Sequence, residues 1–242
     1  MKKLLVILLS TALMLSLTAC GSDDDSSSTS SIAQSSSKQD TLTESSAQSS
    51  ATDSASKPAS DTSADENKKL ARGTFNGDVY ESAYSGLKFS KPESWVYYTD
   101  EEMAAVLNLG VEYLGDKFAE AAETITSVYD MMVVDSLTGT NLSVGYENLN
   151  LSFLSNLTEK QYIEAVKAQF ATITTMDVVF SDETETVSLS GNDYLRSICT
   201  VTSNGVTMTQ IYYLRNIDGY MNFIIVTLVD GYEVADIEAM FN

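Results

Sequence analysis

Few side-chain types in this chain could do covalent or acid–base chemistry: two cysteines, 34 Asp and Glu residues, and 13 tyrosines. Histidine is absent from the sequence, which removes Ser-His-Asp and Cys-His catalysis and nearly all zinc, copper and non-haem iron sites. Two chemistries remain, alkylation of a cysteine thiol and acid–base catalysis by paired carboxylates, as in glycosidases. Because 25 of the acids lie in residues 73–242, the sequence selects no particular pair.

Cys20 stands at a position where its thiol has a chemical use. Lys2 and Lys3 are followed by a 14-residue apolar run, Leu4 to Leu17, and by the small residues Thr18 and Ala19. This pattern is typical of a secretory signal and is too short to predict a membrane-spanning helix. A cysteine directly after Leu-Thr-Ala is not needed by an ordinary signal peptide. The other interpretation is an incidental free cysteine after a plain signal.

The four residues that end this leader resemble the lipobox of bacterial lipoproteins. The set is Leu17, Thr18, Ala19 and Cys20. The resemblance implies that the Cys20 thiol receives diacylglycerol, that the chain is cut before Cys20, and that a third acyl chain such as palmitate is often added. It therefore implies a cell-membrane protein, lipid-anchored and facing the extracytoplasmic side, and two acyl chains are enough for stable anchoring.

Cys199 is the second cysteine. With Cys20 used by the lipid, no intramolecular disulfide is possible, so stability must come from burial of a core. Cys199 has the same parity as Leu195 and Val201 in a predicted strand, and this favours a buried, unreactive thiol.

The charge of the chain limits its partners. The net charge is −20, and loss of the leader removes two lysines to give −22. Nucleic acid is excluded, because its phosphates require Lys and Arg. An anionic bilayer would also repel such a chain, so a lipid would have to hold it there.

A serine-rich segment separates the leader from the rest of the chain. Sixteen of the 40 residues from Gly21 to Ser60 are serine, and aromatic residues are absent from Gly21 to Gly73. Such a composition cannot bury enough apolar surface to offset the entropy of ordering. We therefore predict a signal peptide at 1–19, a disordered acidic linker at 20–72 and one globular domain at 73–242. A flexible linker of about 50 residues spans about 40 Å; a glycosylated or wall-threading stalk is the alternative.

Local signals predict both helices and strands in the domain. Thr99 with Glu102 and Thr158 with Gln161 are capping boxes that begin helices. The apolar stripe over 111–128 predicts a further helix, and Asn204-Gly205 is a strong hairpin signal. The remaining predictions are two strands joined at a turn within Val79 to Thr99, a hairpin of 131–135 with 141–147, strands near 186–189, 194–202, 206–215 and 220–228, and a final helix from about 230.

The last strand predicts the layering. Phe223 to Val226 is apolar on both faces, which predicts cover on both sides of the sheet. The expected fold is therefore α+β, an α-β-α sandwich of a mostly antiparallel sheet with helices on both faces.

The first part of the domain contains a spaced set of residues, Tyr84, Gly86, Leu87, Phe89, Pro92 and Trp95, and the strand from Asn141 to Asn148 follows later. This pattern resembles the PsbP-like domains of Firmicutes lipoproteins, whose fold is shared with PsbP and DcrB. The resemblance covers about 79–242. It implies the same fold and an extracytoplasmic location, and it carries over no catalytic residue, metal site or cofactor.

Two segments are candidate sites. The connection 148–157 is long and apolar, which makes Leu149, Leu151, Phe153 and Leu154 a candidate partner-binding loop; the pattern favours the other interpretation, an extra edge segment tucked under the sheet. Asp182-Glu183-Thr184-Glu185 could offer oxygen ligands to Ca²⁺ but lacks the spacing of a known calcium loop, which favours a solvated turn.

Together these patterns predict a non-enzymatic binding or accessory module at the cell envelope, with no cofactor and no metal. Its expected partner is another envelope protein or a wall component. The alternative is an extracellular carboxylate-dependent hydrolase. A transporter solute receptor is a third possibility, but a domain of this size cannot form the usual two-lobed cleft.

Overall fold

The structure, a computed structural model, describes residues 69–151, 157–229 and 231–241. Within these ranges the chain forms eleven strands, four α-helices and one 3₁₀ turn. The strands are β1 (Thr74–Asn76), β2 (Val79–Ser82), β3 (Leu87–Ser90), β4 (Trp95–Tyr97), β5 (Ser127–Asp135), β6 (Asn141–Asn148), β7 (Asp177–Phe180), β8 (Glu185–Leu189), β9 (Asn192–Ser203), β10 (Val206–Ile217) and β11 (Tyr220–Leu228). The helices are α1 (Asp100–Leu107), α2 (Phe118–Thr124), α3 (Glu159–Phe170) and α4 (Val234–Glu238), and the 3₁₀ turn is Val111–Tyr113.

The main sheet is antiparallel between all its neighbours, in the order β4-β5-β6-β11-β10-β9-β7, with β8 also paired to β9. Strands β9 and β10 are joined by the predicted Asn204-Gly205 turn, whose two residues have φ of 51° and 80°. Asparagine and glycine tolerate this left-handed backbone, which matches the twist of the flanking strands. A separate antiparallel sheet is formed by β1, β2 and β3.

Both faces of the main sheet are covered, as the last strand predicted. Alternate residues of β11 point to opposite sides, and Phe223, Ile224, Ile225 and Val226 are all buried. Helices α1 and α3 cover one face, where Met103, Tyr162 and Ile163 contribute to the core. The small sheet and α4 cover the other face. The predicted α+β fold with helices on both faces is confirmed, with the small sheet as an additional cover.

The capping signals are also confirmed. Thr99 accepts from the backbone N–H of Glu102, while the Glu102 carboxylate accepts from the N–H of Thr99, at the start of α1. Thr158 and Gln161 form the same reciprocal pair before α3. Each box satisfies backbone N–H groups that the first helical turn leaves without partners.

The predicted helix over 111–128 is wrong in extent. The chain forms the 3₁₀ turn, then α2, and already enters β5 at Ser127. Ile125, which closes α2, has an extended backbone with φ of −109° and ψ of 140°. The segment Thr124 to Val128 is rich in β-branched residues, which favour a strand. Pairing of this strand with β6 overrides the helical spacing of apolar residues on which the prediction was based. Strand β7 was not predicted at all.

No helix among the described residues is both long enough and apolar enough to cross a bilayer.

Replacement of Gly145 by alanine tests how closely the sheet is packed. A Cβ at this position in β6 would lie 2.4 Å from the Phe223 ring and 2.6 Å from the carbonyl oxygen of Val128. We expect Gly145→Ala to lower the free energy of unfolding by about 1–3 kcal/mol. The control is Gly115→Ala, where the nearest atom is 4.0 Å away and no loss is expected. Urea unfolding measures both, and equal effects of the two variants would contradict this packing.

Candidate functional site

A buried carboxylate in β5 is the centre of a polar cluster in the described domain. The pairing of β5 with β6 shifts register between Tyr129 and Met131, so Asp130 is the additional residue of a β-bulge. Bulges redirect a side chain that regular alternation would place elsewhere. Asp130 is 0 % exposed, and its carboxylate lies between the main sheet and the small sheet.

Both oxygens of Asp130 have donors. The Tyr80 hydroxyl donates to Oδ2 at 2.6 Å, and the backbone N–H of Gly73 donates to Oδ1 at 2.8 Å. The guanidinium of Arg72 lies 3.9 Å from Oδ1. These contacts join the chain before β1, strand β2 and strand β5 at one carboxylate.

Arg72 is held by several further acceptors. Its two terminal nitrogens donate to the two oxygens of Asp100 at 2.8 and 2.6 Å, a bidentate pair at the start of α1. The same side chain donates to the carbonyl oxygens of Leu114 and Asp130. Arg72 therefore fixes the entry of the chain into the domain.

A second group of polar side chains continues this layer between the sheets. The Tyr146 hydroxyl lies 2.9 Å from the Ser82 hydroxyl and donates to the Ser85 hydroxyl at 3.2 Å. The Tyr194 hydroxyl donates to Asn222 at 2.7 Å, and the Asn222 amide donates to the carbonyl oxygen of Gly145 at 3.0 Å. Buried polar groups that are all bonded in this way fix a unique packing.

Burial dominates the electrostatics of the cluster. Loss of solvent raises the pKa of Asp130 to about 6, although the Tyr80 and Gly73 hydrogen bonds and the Arg72 charge each oppose that rise. Burial, together with the nearby Asp130 charge, raises the pKa of Tyr80 well above its usual value. The pKa of Tyr146 is also raised, mainly by burial.

Glu147 is a second buried carboxylate, on the opposite face of the main sheet. The Tyr162 hydroxyl of α3 donates to it. Burial raises the pKa of Glu147, and the hydrogen bond from Tyr162 partly opposes the rise. Because Tyr80 and Tyr162 belong to the cores of opposite faces, Asp130 and Glu147 do not share a site. They cannot form the facing carboxylate pair that a glycosidase uses.

The geometry of these carboxylates favours structural roles. Their oxygens accept hydrogen bonds from side chains of the core, and neither residue is more than 5 % exposed. A general acid or base must reach a substrate within hydrogen-bond distance. The sequence did not identify Asp130, Tyr80 or Arg72; the available signal was an aspartate in the apolar run from Ser127 to Val134.

Cys199 is buried in the core under α3, and burial raises the pKa of its thiol to about 12. The predicted buried thiol is therefore confirmed.

The acidic segment 182–185 lies at the surface. Asp182 and Glu183 are exposed, and Glu185 pairs with Arg196. Among the described residues no group of three possible ligands is close enough to hold a metal ion.

The candidate partner-binding loop is only partly described. Leu149 is 1 % exposed and packs in the core under α1 and α3, so at this residue the segment is tucked into the core, as the favoured interpretation predicted, and Leu149 is not a partner contact. Leu151 is 48 % exposed, while Phe153 and Leu154 lie outside the described residues. Leu157 is partly buried against the same core as Leu149.

The predicted lipobox, Leu17, Thr18, Ala19 and Cys20, lies outside the described residues. So does most of the predicted linker, 20–72. Its last part belongs to the folded domain, since Leu70 is buried against Phe118, Val128 and Tyr146. The domain therefore includes residues before the predicted boundary at 73.

Comparisons with known proteins add a similarity of fold. No family model and no curated protein matches the sequence. Among the solved structures that match is the solution structure of cyanobacterial PsbP (CyanoP) from Synechocystis sp. PCC 6803. The identity is 12 %, the TM-score is 0.40, and the match covers 65 % of this chain and 86 % of that chain. This likeness supports no statement about activity or partners.

Asp130→Asn tests the buried carboxylate through the pH dependence of stability. The folded pKa near 6 exceeds that of an unfolded aspartate near 3.9, so between these values only the folded state holds the proton. This group therefore makes the protein more stable as pH falls from 7 to 4, by up to about 3 kcal/mol. We expect Asp130→Asn to remove that contribution in urea unfolding at pH 4, 5, 6 and 7.

Glu147→Gln is the matched control, because it removes a different buried carboxylate and should leave the contribution of Asp130 in place. A pH profile for Asp130→Asn that parallels the unmodified protein would contradict a raised pKa at Asp130.

Leu149→Ala and Leu151→Ala compare the two described leucines of the predicted loop. We expect Leu149→Ala to cost about 2–5 kcal/mol, because it leaves a cavity in the core. Leu151→Ala should change stability by no more than about 0.5 kcal/mol, since it alters an exposed side chain. The midpoint of urea unfolding gives both values, and a large loss at Leu151 would identify the loop as part of the core.

Proposed function

We propose that this chain is a membrane-anchored extracytoplasmic lipoprotein whose domain is a non-enzymatic binding or accessory module at the cell envelope. The observation that carries the anchor is the position of Cys20, directly after Leu17, Thr18 and Ala19 at the end of the apolar leader. A thiol is the small nucleophile suited to alkylation by a lipid donor.

Anchoring by lipid suits the charge of the chain. A protein with a net charge of −20 gains no attraction from an anionic surface. Two acyl chains would bind the membrane stably without such attraction. The serine-rich linker then holds the domain at a distance of about 40 Å from the anchor.

The buried carboxylates favour a binding module over a hydrolase. Asp130 and Glu147 are the described carboxyl groups whose pKa is raised, and such groups are the usual candidates for acid–base catalysis. Both are enclosed by the core and lie on opposite faces of the sheet. Function is therefore more reasonably assigned to the surface of the domain than to its interior.

The partner that we propose is another envelope protein or a wall component. The loop residues Leu151, Phe153 and Leu154 remain one candidate contact, since Leu151 is exposed. Contiguous exposed apolar patches rimmed by polar residues mark sites of protein–protein contact.

Cys20→Ala tests the anchor. In cells that make the full chain and are fed an alkyne-labelled fatty acid, we expect the unmodified protein to be labelled and to sediment with membranes. The variant should carry no label, and it should either keep its leader or be released, because the thiol proposed to take the lipid is gone.

The control is Cys199→Ala, which removes the other cysteine and should leave labelling and sedimentation unchanged. Membrane retention and mass that are the same in Cys20→Ala and in the unmodified chain would overturn the anchor.

A further inference from the structure

The main sheet has an open position beyond the end of β11. Pairing between β10 and β11 begins at Thr209 and Leu228, whereas β10 itself extends further, to Val206, which pairs with Ser203 of β9. At Val229 the chain turns aside, and its N–H donates to the Thr140 hydroxyl at 3.0 Å. The end of β10 thus has β9 on one side and no strand of the described chain on the other.

The space beside this strand end is a groove of about 480 Å³. Thr207 and Thr209 line it on the β10 side, and Tyr232, Glu233 and Val234 line it on the side that leads into α4. Its volume is within the range of sites that accept small ligands or short segments of chain.

The backbone of Thr207 is directed into this groove. Ser203 and Val206 flank a two-residue turn, so they exchange hydrogen bonds, and bonded pairs then alternate along the hairpin. The N–H and C=O of Thr207 therefore point away from β9. The Thr207 hydroxyl lies 2.9 Å from that of Thr202. Because the N–H and C=O of Thr207 have no partner strand of the described chain on the groove side, they face the groove as the backbone of a sheet edge does.

The sheet face next to the groove is buried at Leu228, which is 8 % exposed, and becomes exposed toward β7. Val179, Thr200, Thr209 and Leu228 form one row across β7, β9, β10 and β11. Val179 lies at the outer end of the row, on the side of β10 away from the groove, and is 60 % exposed. A segment added beside Thr207 would find backbone groups of β10 and the groove-lining side chains of Val229 and Val234.

The charge around the groove selects the occupant. The segments 177–180, 199–209, 228–229 and 231–234 contain no lysine or arginine, and their acids are Asp177 and Glu233, which are both exposed. The domain, 73–242, has 25 acidic and seven basic residues. A second copy of this chain would be repelled, whereas a basic segment would be attracted.

The groove favours a polypeptide over a sugar chain. The ring of Tyr232 packs edge-on against Trp95 with centroids 5.6 Å apart, and its hydroxyl accepts from the Trp95 indole N–H at 2.7 Å. The ring and hydroxyl of Tyr232 therefore already contact Trp95 and are not offered to a sugar ring. The other groups that could recognise a ligand in the groove are the backbone groups of the sheet edge, which suit a polypeptide.

We propose that the position beyond Leu228 accepts an extended, basic segment of a partner protein, added as a strand beside Thr207 and antiparallel to β10. Strand addition of this kind takes its affinity from main-chain hydrogen bonds and its specificity from the alternate side chains. The proposal rests on the binding role proposed above and does not depend on the lipid anchor.

The test titrates the full chain, in a non-ionic detergent, into a fluorescent decapeptide that alternates lysine with valine and threonine, with anisotropy as the readout. We expect saturable binding that weakens as salt is added, and no binding of the same peptide with glutamate in place of lysine. Asp177→Lys combined with Glu233→Lys should weaken binding by about tenfold or more.

Thr207→Pro is the decisive variant, because it removes the N–H that faces the groove and leaves the bonds to β9 in place. It should also weaken binding by about tenfold, since one strand hydrogen bond to the guest is lost. Thr207→Val keeps that N–H and should bind as the unmodified chain does. Thermal melting confirms that each variant is folded, and the charge variants provide the test if the proline variant unfolds.

Absence of peptide binding, or binding that none of the folded variants changes, would overturn the proposal. Binding of an N-acetylglucosamine tetramer in place of the peptide would also overturn it and assign the groove to glycan. Cell fractionation of Cys20→Ala reports separately on the anchor, so a failure of the groove and a failure of the proposed anchoring give different results.

Discussion

The complete burial of Asp130 is the constraint on which one side of this domain depends. A carboxylate without solvent must be given donors, because an unpaired buried charge costs several kcal/mol. The bulge in β5 directs Asp130 between the sheets, where Tyr80 and the N–H of Gly73 donate to it. The small sheet and the segment before β1 therefore stabilise the Asp130 carboxylate, and the same hydrogen bonds hold both of them against the main sheet. Arg72 extends the same connection to Asp100 at the start of α1.

The two ends of the main sheet differ in how they are closed. At the start of β11, Tyr220 packs on a cluster that contains Leu70, Phe118 and Tyr146, so this end is covered by α2 and by the entering chain. At the other end, β11 stops at Leu228 while β10 continues to Val206. One end is therefore part of the core, and the other leaves sheet backbone and apolar side chains accessible to a partner.

Sequence reasoning predicted the parts of the fold that local chemistry determines. Thr99 with Glu102, Thr158 with Gln161, and Asn204-Gly205 each specify a cap or a turn within four residues. The apolar run of β11 likewise predicted cover on both faces. The helix predicted over 111–128 was wrong because pairing of β5 with β6, which is not a local property, overrides the apolar periodicity there.

The candidate site was much less predictable than the fold. Asp130, Tyr80 and Arg72 are separated by up to 58 positions along the chain, and only the register of β5 with β6 shows that Asp130 occupies a bulge. Leu149 and Leu151 carry the same side chain two residues apart, but Leu149 is buried and Leu151 is exposed. Their difference arises from packing against α1 and α3, which the composition of the loop does not specify.

The position of Leu70 has a mechanical consequence. Leu70 packs near Tyr220, the first residue of β11, and the groove lies beyond Leu228, the last residue of β11. Leu70 and the groove are therefore separated by the nine residues of β11, or about 30 Å. If the chain is tethered at Cys20 and a partner strand occupies the groove, tension between them would act along the strands. Hydrogen bonds between antiparallel strands lie across that direction. They would be loaded in shear and would resist together, whereas a load at right angles to the strands would open them one after another.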